Sequence, residues 1–312
     1  MTTAHTVEQV PVTTLANGHR LELTVHTLRG ASEGPRMVMF GGVHGDEPMG
    51  AETVRRLVAA IDPAALRGTV VLVPVANPYA HAALTRNTPL DGMNLNRTFP
   101  GDRGGSVTEQ LAAVLCEILT GADYFIDYHS GGNLASVDYA YIHDEGAEMS
   151  KAYGCRVLYA GTPYPGSATG WALTHGIACM VSELGGGGQR IDEYLARGLD
   201  GTLNVLRTLS MLPGEPVAPP ADQVVVGTLS TLRPTMGGTM LCEYGVDRIG
   251  ERVAKGTVLA RIVHPATSEE LEVLTAPYEP SILVLGRESM TNVAPGDYGL
   301  MVADGSTATP AV

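Results

Sequence analysis

His44 and Glu47 stand three positions apart in the stretch Gly41-Gly-Val-His-Gly-Asp-Glu-Pro-Met-Gly50. An imidazole and a carboxylate at that spacing can be aimed at one point when they share a tight turn. Zinc in hydrolytic sites takes three protein ligands, commonly two His and one carboxylate, and keeps a fourth place for water. A His-x-x-Glu pair alone is weak, because such pairs arise by chance on capped surface turns. Two further residues raise its weight. His129 ends the run Tyr124–His129, and Glu183 ends the run Ile177–Glu183, each at the close of an apolar strand. A carboxylate beside activated water can take its proton and deliver it to a leaving amine. Glycines 185–188 follow Glu183, and glycine lets backbone approach a ligand closely or lets a loop move.

Period two places Asp127 on the same side of its strand as His129. A ligating histidine usually donates its other ring N–H to a carboxylate, so Asp127 reads either as that partner or as an acceptor for nearby backbone N–H groups. Donors are concentrated in the long, weakly periodic segment 78–106, which holds Arg86, Asn96 and Arg97. Structureless loops of that length are uncommon in compact domains and are usually functional. A guanidinium can grip a carboxylate bidentately or stabilise an oxyanion, and the residue types leave both roles open. Asp102 and Arg103 of the same segment read as solvated.

The elements that must carry these residues follow from periodicity. Val10–Thr14 and Arg20–Leu28 read as a hairpin across Ala16-Asn-Gly18. Strands are then expected at 37–41, 69–76, 124–129, 137–142 and 177–183. Helices are expected at 51–61, 107–119, 168–175 and 190–212. This alternation predicts an α/β fold with a mostly parallel mixed sheet and helices on both faces. In such sheets ligands bind at the carboxyl ends of strands, where His44, Asn77, His129 and Glu183 all fall. Pro213–Pro220 is too proline-dense for helix or central strand. Beyond it come short β runs at 224–232, 238–242, 258–263, 271–275 and 281–285. The expected organisation is an α/β domain with a zinc-hydrolase site over 1–212, a Pro-rich linker over 213–221, and a small all-β domain over 222–312 whose tail, Ser306–Val312, is disordered.

The 312-residue chain carries a formal charge of −13 and a pI near 5.1. That balance opposes a nucleic-acid or anionic-membrane partner, either of which needs a basic face. Four scattered cysteines lack any Cys-x-x-Cys pair, so free, buried thiols are expected. Met1–Val10 is polar and has no apolar signal core, and no run reaches the roughly 18 apolar residues of a membrane helix. A soluble cytoplasmic protein is expected, with a homo-oligomer compatible with the sequence.

His44-Gly-Asp-Glu47, Asn94-Leu-Asn-Arg-Thr-Phe-Pro-Gly101, Asp127-Tyr-His-Ser-Gly-Gly132 and Glu183-Leu-Gly-Gly186 together resemble the succinylglutamate desuccinylase/aspartoacylase family, relatives of the zinc carboxypeptidases. The likeness runs over residues 41–211, and Thr85–Arg97 looks closest to the branch containing the N-acetyl-diaminobutyrate deacetylases of ectoine breakdown. The resemblance implies a Zn2+ cofactor held by His44, Glu47 and His129, with Glu183 as general base and acid. It implies that Arg86 polarises the scissile carbonyl and that Asn96 and Arg97 hold a substrate carboxylate. Asn94 departs from several relatives, which carry an acid there. Val253–Ile262, Thr275-Ala-Pro277 and Val293–Asp297 resemble a biotinyl/lipoyl hammerhead. A carrier lysine belongs at the hairpin tip, whereas Lys255 lies in the first half, so a steric wall is expected instead of covalent carriage.

The resulting expectation is a zinc-dependent amidohydrolase that releases a carboxylic acid and a free amine from a small N-acylated amino acid or related amine. The nearest alternative is a zinc carboxypeptidase acting on peptides, which needs a more open cleft. A non-enzymatic alternative, a biotinyl-like binding module on a metal-free scaffold, predicts no stoichiometric zinc.

Overall fold

A computed structural model describes residues 4–188 and 190–311, so Met1–Thr3 of the polar start and Val312 of the tail lie outside the described residues. The chain opens with a long hairpin. Strands β1 (Ala4–Thr14) and β2 (Arg20–Arg29) pair antiparallel around Gly18, whose φ of +82° suits the turn. There follow β3 (Ser32–Phe40), α1 (Pro48–Ala60), β4 (Arg67–Val73), α2 (Pro78–Ala83), α3 (Val107–Leu119), β5 (Tyr124–His129) and β6 (Ala135–Ile142). Then come α4 (Ala147–Tyr153), β7 (Val157–Tyr159), α5 (Ala168–Thr174), β8 (Ala178–Gly186) and α6 (Ile191–Thr208). The last helix stops at Thr208, short of the expected Leu212. The parallel heart of the sheet is β4-β3-β5-β8, flanked by antiparallel β2 and β6.

Alternation along β3 shows why both faces are covered. Met37 and Met39 pack with α1, α4 and α6 in one core cluster, through Leu57, Met149 and Leu206 among others. Val38 and Phe40 point the other way and pack with α3 and α5, through Leu115 and Ala172. Helix α3 starts where Ser106 and Glu109 form a reciprocal capping box.

The segment 213–221 carries neither helix nor strand. Beyond it lie β9 (Val224–Val226), β10 (Leu229–Leu232), β11 (Gly238–Cys242), β12 (Arg252–Val253), β13 (Val258–Val263), β14 (Glu270–Thr275), β15 (Ser281–Arg287), β16 (Thr291–Val293), β17 (Leu300–Asp304) and β18 (Thr309–Pro310). The expected single run 224–232 is broken at Gly227, because β9 and β10 serve different partners. Strands β14-β13-β11-β16 form a separate four-stranded antiparallel sheet. By contrast β15 pairs with β6, Leu285 opposite Val137, and so extends the large sheet across the linker. Both residues are buried in one cluster, so this junction shares an apolar core.

The tail is not disordered. Thr309 pairs with Val225, and the Ala311 N–H donates to the Gln223 carbonyl at 3.0 Å with its methyl buried. Pairing and burial offset the ordering cost that its composition suggested would prevail. Among the described residues no helix is long and apolar enough to cross a membrane.

Candidate active site

Strand β3 ends at Phe40, and the turn 41–47 carries His44 and Glu47 into α1. Pro48 occupies the first helical turn, where a missing N–H costs nothing. Glu47 is the N-cap residue, yet its side chain caps no helix N–H. It points into the site instead. Two glycines allow the required close approaches. A Cβ on Gly45 would lie 1.9 Å from the Ala80 carbonyl, and one on Gly50 would lie 2.7 Å from the Tyr128 carbonyl oxygen. The first contact sets the turn against the segment carrying Arg86, and the second sets α1 against β5, next to His129.

The three side chains meet in the buried interior. His44 Nδ1 lies 2.9 Å from Glu47 Oε1, and His129 Nδ1 lies 2.9 Å from Glu47 Oε2. The Ser130 N–H also donates to Oε2, at 3.1 Å. Behind the imidazoles, His44 Nε2 faces Asn94 Oδ1 at 3.1 Å, and His129 Nε2 faces Asp127 Oδ2 at 3.2 Å. One ligand atom from each of His44, Glu47 and His129 lies within 4.8 Å of the others, so the group can hold a metal ion.

The donor set fits such an ion. Burial holds the His44 pKa below its ordinary value, with Arg86 and His129 adding to that effect against Glu47. A neutral His44 has one N–H, yet both its ring nitrogens face acceptors. The Asn94 oxygen is fixed in place because it also accepts from the Asn96 N–H at 2.9 Å. A cation held by His44 and Glu47 would remove the conflict and leave Nε2–H for Asn94. Burial opposes ionisation of Glu47, but His44 and His129 hold its carboxyl well below the usual range. Burial likewise opposes protonation of His129, which Asp127 and Glu47 outweigh, carrying it well above the usual imidazole range.

Glu183 comes from β8. It is the register partner of His129 on β5 and of Tyr139 on β6, so the three side chains share one face of the sheet. Burial pushes its carboxyl up to about 8, with Glu47 and Asp127 adding to the rise while His129 and Arg86 pull against it. Arg86 is half-buried and donates through Nη1 to Glu47 Oε1 at 2.7 Å. Burial would lower its pKa, but Glu47, Tyr298, Asp46 and Glu183 together raise it.

The segment 78–106 is more ordered than its weak periodicity predicts. Asn77 caps α2 and donates to Thr88 Oγ1 at 3.0 Å, and Asp91 accepts from the Thr108 N–H and hydroxyl at 2.8 and 2.7 Å. Between these ties a short 3-10 turn, Leu95–Arg97, presents Asn96 and Arg97. Asn96 Oδ1 accepts from the Ala168 N–H at 3.0 Å, which fixes the amide and turns Nδ2 toward His129 Nε2 at 3.1 Å. That ring nitrogen has the stronger acceptor Asp127 beside it, so the Asn96 amide keeps a spare donor. Arg97 is exposed, stacked 4.0 Å from the Tyr164 ring, and donates to the Asn96 carbonyl at 2.6 Å.

All seven candidate residues line one cavity of about 470 Å³, within the usual size of small-molecule sites. Sequence reasoning missed Tyr139, Tyr141 and Tyr164, and it missed Tyr298 from the C-terminal region, which also line it. The alternation Tyr139-Ala-Tyr141 on a strand beside β8 was an available signal for two of them. Nothing local marks Tyr298.

Residues 33–209 match the succinylglutamate desuccinylase/aspartoacylase catalytic domain. The chain belongs to the succinylglutamate desuccinylase/aspartoacylase family. It is 33% identical over 248 residues to the N-alpha-acetyl-L-2,4-diaminobutyric acid deacetylase of Halomonas elongata, covering 74% of this chain and 71% of that one. Its fold matches a succinylglutamate desuccinylase/aspartoacylase from Rhodobacter sphaeroides, with a TM-score of 0.83 at 24% identity over 96% of this chain and 94% of the other. It also matches the product-bound ectoine utilization protein of Ruegeria pomeroyi, with a TM-score of 0.85 at 24% identity over 97% and 95%. Members of this desuccinylase/aspartoacylase family are deacylating hydrolases that act on small N-acyl amino acids.

Proposed function

We propose that this chain is a zinc-dependent deacylase that hydrolyses the amide of a short Nα-acetylated amino acid, of the kind named for its Halomonas relative. The observation that carries the reading is the pairing of Glu183 with His129 across two strands, which puts a half-buried carboxyl beside a His-Glu-His group able to hold a metal. Zinc held by His44, Glu47 and His129 supplies Lewis-acid chemistry, acidifying water and polarising an acyl oxygen.

The chain's own residues do the rest. Glu183 accepts a proton from the attacking water and returns it to the departing nitrogen. Arg86 swings from Glu47 to donate to the acyl oxygen as charge develops there. Asn96 Nδ2 and Arg97 hold the substrate carboxylate at the other end. Tyr164 stacks on Arg97 and limits its freedom. A peptidase needs an open cleft, and the presence of Asp297 and Tyr298 in the cavity wall favours the smaller substrate. The C-terminal region therefore acts as a steric wall.

Amine release from a panel of N-acetyl amino acids and N-acyl peptides tests this reading. Turnover of N-acetyl-2,4-diaminobutyrate or a similar small substrate, dependent on zinc, is expected. Peptide cleavage with no activity on the small substrates would overturn it.

A further inference from the structure

The loop between β16 and β17, residues 294–299, brings Asp297 and Tyr298 into the cavity wall from the far end of the chain. Tyr298 is close enough to Arg86 and Tyr164 to act on both electrostatically. A short surface loop with Pro295 and a left-handed Gly296 has little core of its own to fix it. Its backbone is tied at Gly296 to the Pro234 carbonyl at 2.8 Å and at Gly299 to the Leu232 carbonyl at 3.2 Å, and two arginines hold the Tyr298 end between these ties. Arg287 ends β15 and donates through Nη1 to the Tyr298 carbonyl at 2.9 Å, through Nη2 to the Asn292 carbonyl at 3.1 Å, and through Nε to Thr291 Oγ1 at 2.9 Å. All three nitrogens of the planar guanidinium donate, which sets its direction as well as its reach. Arg233 lies 4.1 Å over the Tyr298 ring and donates to the Gly296 carbonyl.

The clamp stands on the same backbone as the metal site. Arg287 is paired with Ala135 of β6, and the next N–H, from Glu288, donates to the Leu134 carbonyl at 2.9 Å. Leu134 and Ala135 lie just beyond the glycine turn that leaves His129. The distance from His129 to the rim is therefore set by one strand pairing and one guanidinium.

We propose that Arg287, supported by Arg233, is a positioning residue that holds the Tyr298 loop as a fixed rim and restricts the cavity to single acyl amino acids. The size restriction rests on the deacylase reading above, whereas the clamp does not. The test uses the full zinc-loaded chain, with Arg287→Met, Arg287→Lys and Arg233→Ala. Hydrogen exchange at the amides of 296–299 is expected to quicken about tenfold in Arg287→Met, with β15 and β17 unchanged. KM for an N-acetyl amino acid rises about tenfold while kcat changes little. Relative kcat/KM for the matching N-acetyl dipeptide rises, and Arg287→Lys falls between. Should Arg287→Met fail to fold, Arg233→Ala reads the same loop from its other side. Unchanged exchange in the loop overturns the clamp, and unchanged substrate selectivity with a loosened loop overturns the size restriction. If the wild-type chain cleaves neither substrate, the deacylase reading and the size restriction both fall, and exchange alone decides the clamp.

Discussion

Glu183 sits directly opposite His129 in the β5–β8 register, so a half-buried acid and a metal-competent imidazole occupy one face of adjacent strands. Neighbouring strands lie only about 4.8 Å apart, so the acid stands within reach of the His44-Glu47-His129 group. Glu183→Gln should keep the fold and the bound metal but lower amide turnover by about 10²–10⁴-fold, the usual contribution of a general acid–base group. Activated esters should suffer less, because their leaving groups need no proton. Equal losses on both substrates, together with a fall in bound zinc, would count against the proton-transfer role.

The same carboxyl should make metal-free stability depend on pH. Its folded-state pKa, near 8, lies above the roughly 4.3 of an unfolded glutamate. Between those values the folded chain keeps a proton that the unfolded chain releases. Stability therefore falls as pH rises through that window and levels off above about 8. Glu183→Gln removes this dependence. Urea titrations of the two metal-free proteins from pH 5 to 9 should diverge in favour of the variant, at up to about 1.4 kcal/mol per unit. Parallel curves would show that the carboxyl is not held protonated.

Metal content provides a third check. About one zinc per chain is expected from a three-ligand site, and His129→Ala should lose most of it. Full occupancy and activity in that variant would remove His129 from the ligand set.

Asn94 should matter to the metal without touching it. Its oxygen receives His44 Nε2 and the Asn96 N–H together. Asn94→Ala should weaken zinc binding about 10–100-fold in chelator competition, the range seen when outer partners of ligating histidines are removed. Asn94→Asp, which keeps an acceptor oxygen for both contacts, should restore it. Equal affinity in all three proteins would show that Asn94 does not orient His44.

Arg97→Ala should raise KM for carboxylate-bearing substrates about tenfold or more with little change in kcat, as expected for a contact equal in ground and transition states. Because Arg97 is exposed and stacked on Tyr164, its removal should leave thermal stability nearly unchanged. An unaltered KM would take Arg97 out of the anchoring role.

The short-range features of this fold were legible in the residues. The apolar run 37–40, the turn that follows it and the helix after Pro48 are fixed by alternation, glycine and proline within a dozen positions. The same holds for β5 and β8, which is why His44, Glu47, His129 and Glu183 could be named before any contact was known. The two helices 51–61 and 107–119 likewise announce themselves through apolar spacing.

Other features depended on partners far along the chain. The tail 306–311 has a composition that reads as disorder, and it is ordered because Val225 lies beside it. Asn94 is an ordinary loop amide until His44, fifty residues earlier, is placed against it. Strand β15 carries no mark that it will pair with β6, and Tyr298 carries none that it will line the cavity. Sequence by itself determined which segments become strands and turns and the chemical types that converge on the site, since these follow from steric and hydrophobic preferences of neighbouring residues, although β8 runs on through Gly186, past the end expected at Glu183. Tertiary structure alone decided the shape of the wall around them and the partner behind each imidazole, because register and burial between distant segments are set by packing that no local window contains.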